Sequence, residues 1–267
     1  MPIDFSPYQA VFLDLDGTVY HESQALPGAM PLIRRLHEQR KNFACLSNST
    51  ESPMRVTLRL AEMGIEVDLD RIYTAAAAAA DYVIEHFNPP DHPRPRVFNL
   101  ATEGLQEMLD GMVDWVQSEN HPCDAVVIGA PANSHATPQR QFAALQLLRK
   151  GAAAVGICSD RVYPSERGIE FGSGALTWQL AYAASVDPVF CGKPQSIFFT
   201  ELCRRLGVQP DWCILIGDNL ESDIEGAKAV GMRTVLTLTG VARSADLALL
   251  PPQWQPDLVV QDLTELL

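Results

Sequence analysis

Short apolar runs alternate with amphipathic stretches along most of the chain. The apolar run at 10–15 (AVFLDL) precedes a stretch in which Leu32, Ile33 and Leu36 recur at helical spacing, and a second apolar run follows at 42–47. A similar alternation returns in the last third of the chain. Strands that alternate with helices form parallel sheets, because each helix carries the chain back to the same end of the sheet. The pattern therefore predicts an α/β protein.

Two local features divide this pattern into domains. The alanine-rich stretch at 74–87 predicts a helix, since alanine is the best helix former. The densest proline cluster of the chain follows at 88–96 (NPPDHPRPR) and predicts a hinge or domain crossing. We expect residues 1–79 and 185–267 to form one α/β core, with a smaller α/β domain, residues 80–184, inserted between them.

Composition limits the partners of this protein. The chain has 267 residues, is 47% hydrophobic and has a formal net charge of −13. This charge argues against a nucleic-acid or anionic-membrane partner, because there is no positive field to attract one. No apolar run is long enough to span a membrane, and the first residues lack the regions of a signal peptide. The six scattered cysteines are typical of reduced, buried thiols, so we expect a cytoplasmic protein.

Two acidic residues follow the first apolar run. Asp14 and Asp16 stand two residues apart and precede Gly17. In a strand such residues project to the same side, where two like charges raise each other's pKa unless a cation or hydrogen-bond donors compensate. One interpretation is a surface turn, since Asp-Gly is common there. The other is a ligand site, because ligands of open α/β sheets bind at the carboxyl ends of strands.

Three further segments place polar residues after apolar runs. Ser47 and Asn48 offer hydrogen-bond donors or, alternatively, a helix N-cap. Lys193 lies between a glycine and a proline, whereas most lysines are solvated surface residues. Asp218 follows the run ILIG, and Asp223 lies at the start of the next helix, where the helix dipole alone favours an acid.

Taken together, these segments predict a site for a divalent cation and a phosphate. Asp14, Asp16 and Asp218 would form an oxygen-rich pocket, which Mg²⁺ prefers and binds together with substrate phosphate. Lys193 and Ser47 supply donors for the other anionic oxygens. A carboxylate beside Mg²⁺ and a bound phosphoryl group can attack phosphorus and form an acyl phosphate that water hydrolyses.

These segments resemble the motifs of the haloacid dehalogenase-like (HAD) hydrolase superfamily. The matching segments, in the family's order, are DLDGT at 14–18, LSNS at 46–49, GKP at 192–194 and GDNLESD at 217–223. The long insert and PGA at 27–29 are similar to the NagD-like type IIA subfamily. The resemblance implies a Rossmann-like parallel-sheet core with an inserted α/β cap domain, which in this subfamily often takes part in homodimers.

The resemblance also implies roles for the acidic residues. Asp14 would be the nucleophile and a Mg²⁺ ligand. Asp16 would act as the acid and base, while its backbone carbonyl contacts the metal ion. Asp218 would complete the metal site, and Asp223 would orient Lys193 or a metal-bound water.

The remaining roles concern the phosphoryl group and the cap. Ser47 and Asn48 would bind the transferring phosphoryl group, and Lys193 would neutralise its charge and hold Asp14. In the cap, CSD at 158–160 replaces the Asn-Pro-Asp of many relatives. Asp160, Arg167 and the GSG at 172–174 could face the substrate, or could be a turn acid, a solvated arginine and a helix start.

Three functions are consistent with this sequence. The first is a Mg²⁺-dependent phosphomonoesterase for a small phosphorylated metabolite, such as a sugar phosphate or a nucleotide, which Asp16 favours because an acid at this position promotes turnover. The second is a phospho-accepting, Mg²⁺-binding regulatory module with little turnover, although a receiver-like domain needs about half this length. The third is a dinucleotide-binding enzyme, but the sequence has no Gly-x-Gly-x-x-Gly motif after the first strand.

Overall fold

The computed structural model describes residues 3–87, 92–133, 135–165, 168–247 and 250–267. In chain order its strands and helices are β1 (Ala10–Asp14), β2 (Tyr20–His21), β3 (Gln24–Ala25), α1 (Ala29–Glu38), β4 (Phe43–Ser47), α2 (Pro53–Glu62), β5 (Ile72–Thr74), α3 (Ala75–His86), β6 (Arg96–Leu100), α4 (Glu103–Leu109), β7 (Asp114–Trp115), β8 (Ala125–Ile128), α5 (Pro138–Arg149), β9 (Ala153–Gly156), β10 (Val162–Ser165), β11 (Gly168–Phe171), α6 (Ser173–Ala184), β12 (Val189–Phe190), α7 (Ser196–Leu206), β13 (Cys213–Gly217), a π-helical segment (Leu220–Glu225), α8 (Gly226–Ala229), β14 (Arg233–Thr237), α9 (Ser244–Leu247) and β15 (Leu258–Val260).

The chain divides into two compact units. The first unit comprises Met1–Ser47, Pro53–Tyr73 and Lys193–Leu267, and the second comprises Asn48–Ser52 and Thr74–Gly192. Parallel sheets with helices between their strands confirm the predicted α/β class.

The first unit is built on a six-stranded sheet in the order β15-β14-β13-β1-β4-β5. Strand β1 pairs in parallel with β4 on one side and with β13 on the other, and all five of its residues are buried. The strand order reverses at β1, because the chain builds one half of the sheet before the second unit and the other half after it. Helix α1 buries Leu32, Ile33 and Leu36, as their spacing predicts.

The second unit has its own parallel sheet, in the order β12-β9-β8-β6-β7, and its own hydrophobic core. Helix α3 confirms the helix predicted from the alanine run. The side chain of Thr74 caps its first turn, accepting a hydrogen bond of 3.1 Å from the backbone N–H of Ala77. Strands β10 and β11 form a separate antiparallel ribbon that the hydrophobic pattern did not predict.

The unit boundaries differ from those expected from sequence. The second unit begins at Thr74 and ends at Gly192, whereas the prediction placed the insert at 80–184. The predicted boundary at 79/80 would divide α3, whose alanines are packed as one buried run. The proline cluster does not mark the crossing either, because residues 92–96 belong to the second unit; residues 88–91 lie outside the described residues.

Two sequence predictions concern the environment of the chain. No helix among the residues that the structure describes has the length and apolar character needed to cross a bilayer. All six cysteines are free thiols, and all but Cys123 are buried, as the sequence predicted for reduced cysteines.

Candidate active site

Asp14 and Asp218 lie at the carboxyl ends of two neighbouring strands. Asp14 is the last residue of β1, and Asp218 directly follows the last residue of β13. Leu13 lies opposite Ile216 in the parallel pairing of these strands, so both carboxylates are at one edge of the sheet. The strand order reverses at this point, which is where open α/β sheets bind ligands.

Three carboxylates and one ammonium group form a buried cluster at this edge. Asp14, Asp218 and Asp223 each place a carboxylate oxygen within 4.8 Å of the other two. Lys193, which is only 3% exposed, donates hydrogen bonds to Oδ1 of Asp14 and, at 2.7 Å, to Oδ1 of Asp223. With all three acids ionised, one lysine leaves negative charge uncompensated in a buried place. The cluster therefore fits an additional cation.

The pKa values of these groups reflect the crowding of charge. Burial, followed by repulsion from Asp223, raises the pKa of Asp14 well above its usual range, although Lys193 opposes the shift. Burial and Asp223 also raise the pKa of Asp218. Burial by itself would lower the pKa of Lys193, but the carboxylates of Asp14 and Asp223 outweigh it and raise that pKa. Lys193 is thus a fixed positive charge.

Asp223 is part of the π-helical segment that follows β13. Its Oδ2 accepts a hydrogen bond of 3.1 Å from the backbone N–H of Asn219, and its Oδ1 accepts from Lys193. Asp223 does lie in the first turn, as the sequence indicated, but it is also fully buried and paired with the lysine. It therefore links Lys193 to the segment that follows Asp218.

Asp16 occupies a different environment from the three buried acids. The residue is exposed at the surface, but partial burial of its carboxylate raises its pKa. The charges of His21, Arg59 and Lys193 oppose this rise. Among the described residues, the group of converging carboxylates does not include Asp16. Its predicted contact with a metal ion through the backbone carbonyl stays a prediction.

Ser47 and Asn48 are divided between the two units. Ser47 ends β4, is buried, and follows Leu46, which lies opposite Asp14 in the β1–β4 pairing. Asn48 belongs to the second unit, where its amide nitrogen lies 3.3 Å from both carboxylate oxygens of Asp160. The sequence analysis expected Asn48 in the core segment 1–79, whereas its contacts group it with the second unit.

The sequence analysis also named the GSG at 172–174 and Arg167 as residues that could face the substrate. The GSG at 172–174 is the start of a helix, because α6 begins at Ser173 with Gly172 as its N-cap. Arg167 lies outside the described residues.

Comparisons with known proteins show which family this chain is part of. Residues 11–113 match the family "Haloacid dehalogenase-like hydrolase" and residues 190–266 match a "HAD-hydrolase-like" family. The acid sugar phosphatase of Staphylococcus epidermidis is 32% identical over 241 residues, which cover 90% of each chain. The chain belongs to the haloacid dehalogenase-like hydrolases.

Solved structures extend the match to the fold of this HAD protein. The 4-nitrophenylphosphatase of Thermotoga maritima is 27% identical, with a TM-score of 0.87 over 98% of this chain and 97% of its own. The glycerol phosphate phosphatase of Mycobacterium tuberculosis, in complex with magnesium, is 28% identical, with a TM-score of 0.87 over 98% of this chain and 77% of its own. The resemblance drawn from sequence is confirmed, including its NagD-like type IIA branch, and the chain is a phosphatase of the HAD family.

The sequence prediction assigned no site residue to one further segment at this edge of the sheet. Residues 239–241 follow β14, where Val241 donates a backbone hydrogen bond of 2.7 Å to Oδ2 of Asp218. The hydroxyl of Thr239 donates one of 2.6 Å to the carbonyl oxygen of Gly17. A signal was available, because Thr239 and Gly240 follow an apolar strand as the other site residues do.

Proposed function

We propose that this phosphatase is a Mg²⁺-dependent phosphomonoesterase that hydrolyses small phosphorylated metabolites, such as sugar phosphates or nucleotide-like esters, through an aspartyl-phosphate intermediate. The observation that carries the proposal is the buried cluster of Asp14, Asp218 and Asp223 around Lys193. It combines a nucleophilic carboxylate, oxygen ligands and a fixed positive charge.

The donors of this cluster fit Mg²⁺. All three side chains offer carboxylate oxygens, which this hard cation prefers, and burial raises the pKa values of Asp14 and Asp218, so that a cation is needed to keep both ionised. Asp14 and Asp218, with the backbone carbonyl of Asp16, would hold the ion, while Asp223 is engaged by Lys193 and Asn219. When bound, Mg²⁺ supplies positive charge that lets a carboxylate and a phosphoryl group approach each other.

The residues then divide the reaction between them. A carboxylate oxygen of Asp14 forms a bond to phosphorus while the bond to the ester oxygen breaks, and Asp16 gives its proton to that oxygen. Asp16 next takes a proton from water, which attacks the phosphorus, releases inorganic phosphate and restores Asp14. The raised pKa of Asp16 suits a group that both gives and accepts a proton. Ser47, Asn48 and Lys193 bind the phosphoryl oxygens.

The relatives support the substrate class. One is named an acid sugar phosphatase and another a glycerol phosphate phosphatase, so small phosphorylated polyols are the first compounds to test. No nucleic-acid or membrane partner is proposed, and the cytoplasmic location stays a prediction.

The proposal is tested by turnover and labelling. We expect the purified protein to hydrolyse p-nitrophenyl phosphate with Mg²⁺, to stop with a chelator and to recover when Mg²⁺ is returned. Asp14→Asn removes the nucleophile, so activity should fall by at least about 10³-fold, whereas Asp110→Asn, which changes an exposed acid, should match the wild type. A panel of sugar phosphates, nucleotides, pyridoxal phosphate and phosphoglycolate, ranked by kcat/KM, then identifies the preferred ester.

Two results would contradict the proposal. Substantial turnover by Asp14→Asn would exclude the covalent route. A stoichiometric phosphoryl label that stays on the protein for hours would instead favour the phospho-accepting regulatory module.

We also propose that the protein forms a homodimer, and the exposed face of the β10–β11 ribbon supports this assembly. Residues that face each other across an antiparallel pair lie on the same side, so Val162, Ile169 and Phe171 share one face of the β10–β11 ribbon. They are 50%, 72% and 71% exposed. An exposed apolar sheet face is typical of an interface, and an antiparallel ribbon can pair with its own copy about a two-fold axis.

A further inference from the structure

Asp160 holds the side chain of Asn48 within the second unit. Asp160 lies four residues after the last residue of β9, and both of its carboxylate oxygens are 3.3 Å from Nδ2 of Asn48. The thiol of Cys158 donates a further hydrogen bond of 3.2 Å to Oδ2 of Asp160. The carboxylate therefore has at least two donors, Asn48 and Cys158, from two loops that are distant in sequence.

Glycines bring the neighbouring backbones close enough for these contacts. The backbone N–H of Gly174 donates a hydrogen bond of 3.0 Å to the carbonyl oxygen of Asp160, and a Cβ at Gly172 would collide with that same oxygen. A Cβ at Gly192 would lie 2.8 Å from Oδ1 of Asn48 and 2.8 Å from Cβ of Cys158. The side chain of Asn48 is thus packed between the Asp160 carboxylate and the Gly192 backbone.

This arrangement determines which end of the Asn48 carboxamide points to Asp160. A carboxylate only accepts hydrogen bonds, so it attracts the amide nitrogen and repels the amide oxygen. A phosphoryl group has the same preference, because its oxygens also only accept. The amide nitrogen carries two hydrogens, so a bond to Asp160 is compatible with a second acceptor. Without the carboxylate, rotation of the carboxamide by half a turn would present its oxygen to an anion.

We propose that Asp160 is a positioning residue, which fixes the carboxamide of Asn48 with its nitrogen available to phosphoryl oxygens, and that the Cys158 thiol in turn fixes Asp160. The inference rests on the proposed function, in which Asn48 binds the phosphoryl group. Asp160 itself does not contact the reacting atoms and acts through Asn48. Its negative charge is tolerated near an anionic substrate because it orients a donor.

A double-mutant cycle separates positioning from a general structural role. We expect Asp160→Ala to raise both KM for p-nitrophenyl phosphate and the inhibition constant of inorganic phosphate by about tenfold, with a smaller change in kcat. In an Asn48→Ala background, the same substitution should change either constant by less than about twofold, because the group that it positions is gone. Asp187→Ala, an exposed acid of the same unit, serves as the matched control.

Conservative variants provide a second readout. Asp160→Asn keeps an acceptor oxygen without the charge, so its effect should lie between those of the wild type and Asp160→Ala. Cys158→Ser keeps a donor for Asp160 and should match the wild type, whereas Cys158→Ala removes that donor and should raise KM by roughly two- to threefold. Thermal unfolding of each variant establishes that it is folded.

Three outcomes would overturn the inference. The first is an equal effect of Asp160→Ala in the wild-type and Asn48→Ala backgrounds. The second is tighter phosphate binding by Asp160→Ala, which would mean that the carboxylate only repels the ligand. The third is a Cys158→Ser variant as impaired as Cys158→Ala. Calorimetric titration of the same variants with inorganic phosphate reports the coupling without turnover, so a wild type that binds phosphate but hydrolyses no ester would contradict the proposed function alone.

Discussion

Asp14 and Asp218 were predicted as site residues because each lies at the end of an apolar strand. Asp14 and Asp218 have no stabilising role at such positions unless a ligand or a counter-charge is present. Lys193 was predicted from its unusual place between Gly192 and Pro194, and its bonds to two carboxylates supply the counter-charge. Val241 was missed because it acts through its backbone N–H, which no side-chain motif reveals.

Gly17 offers a test of the site geometry at the residue scale. Its φ is +84°, and a Cβ there would lie 2.5 Å from Oδ2 of Asp218. Gly17→Ala should therefore displace that carboxylate and lower kcat/KM by about 100-fold. Gly64→Ala is the matched control, because Gly64 has a φ of +73° but open space around its Cβ position. Both variants should lose about 1 kcal/mol of unfolding free energy, and only Gly17→Ala should lose activity; equal activities would show that the contact with Asp218 is unimportant.

At the scale of helices and strands, the buried strands and the amphipathic helices were predicted, whereas the β10–β11 ribbon was not. Strands β1, β4 and β13 are buried apolar runs, and α1 and α3 have clear helical signals. The β10–β11 ribbon was missed although Val162 and Pro164 alternate with polar residues, as do Ile169 and Phe171. Val162, Ile169 and Phe171 are exposed, so they alternate as in a half-buried strand although they are not part of a core.

Asp257 joins α8, β14 and the residues before β15. It accepts hydrogen bonds from Lys228 (3.1 Å), Arg233 (2.7 Å) and the backbone and hydroxyl of Thr234. Burial by itself would raise its pKa, but these donors outweigh it and lower the pKa to about 2. A depressed pKa contributes stability that is fully present above about pH 4 and is lost as the pH falls toward about 2.

The prediction from Asp257 concerns acid stability. Asp257→Asn removes the titrating group, so the difference in unfolding free energy between the wild type and the variant should shrink by roughly 1–2 kcal/mol between about pH 4.5 and pH 2, after allowance for solvent screening. Urea unfolding across this range measures it, with Asp187→Asn as a control for an exposed acid. A difference that does not change with pH would contradict the assignment of the bond network to this carboxylate.

At the scale of the whole molecule, the sequence indicated a core with an insert, but it did not indicate which of the two units a short segment joins. Residues 48–52 follow a core strand yet belong to the second unit. A five-residue segment has too little hydrophobic pattern of its own to indicate which of two cores it packs against.

The exposed ribbon leads to a prediction about assembly. We expect the wild type to sediment as a dimer at micromolar concentration, and a variant with Ile169→Ser and Phe171→Ser to sediment as a monomer with unchanged hydrolysis of p-nitrophenyl phosphate. Leu58→Ser, which changes an exposed apolar residue of the first unit, should leave the dimer intact. A wild type that remains monomeric at about 100 µM would contradict this use of the ribbon.

The sequence by itself determined the α/β class and the family, and it nominated the side chains of the proposed active site. These follow from local information, namely apolar periodicity and the residues that end each strand, and neighbouring residues are sufficient to specify them. Only the tertiary structure decided that Asp223 pairs with Lys193, that Asp160 holds Asn48, and that residues 239–241 close over Asp218. Each of these contacts joins residues far apart in the chain, and their distances depend on how strands and loops pack, which no local pattern encodes.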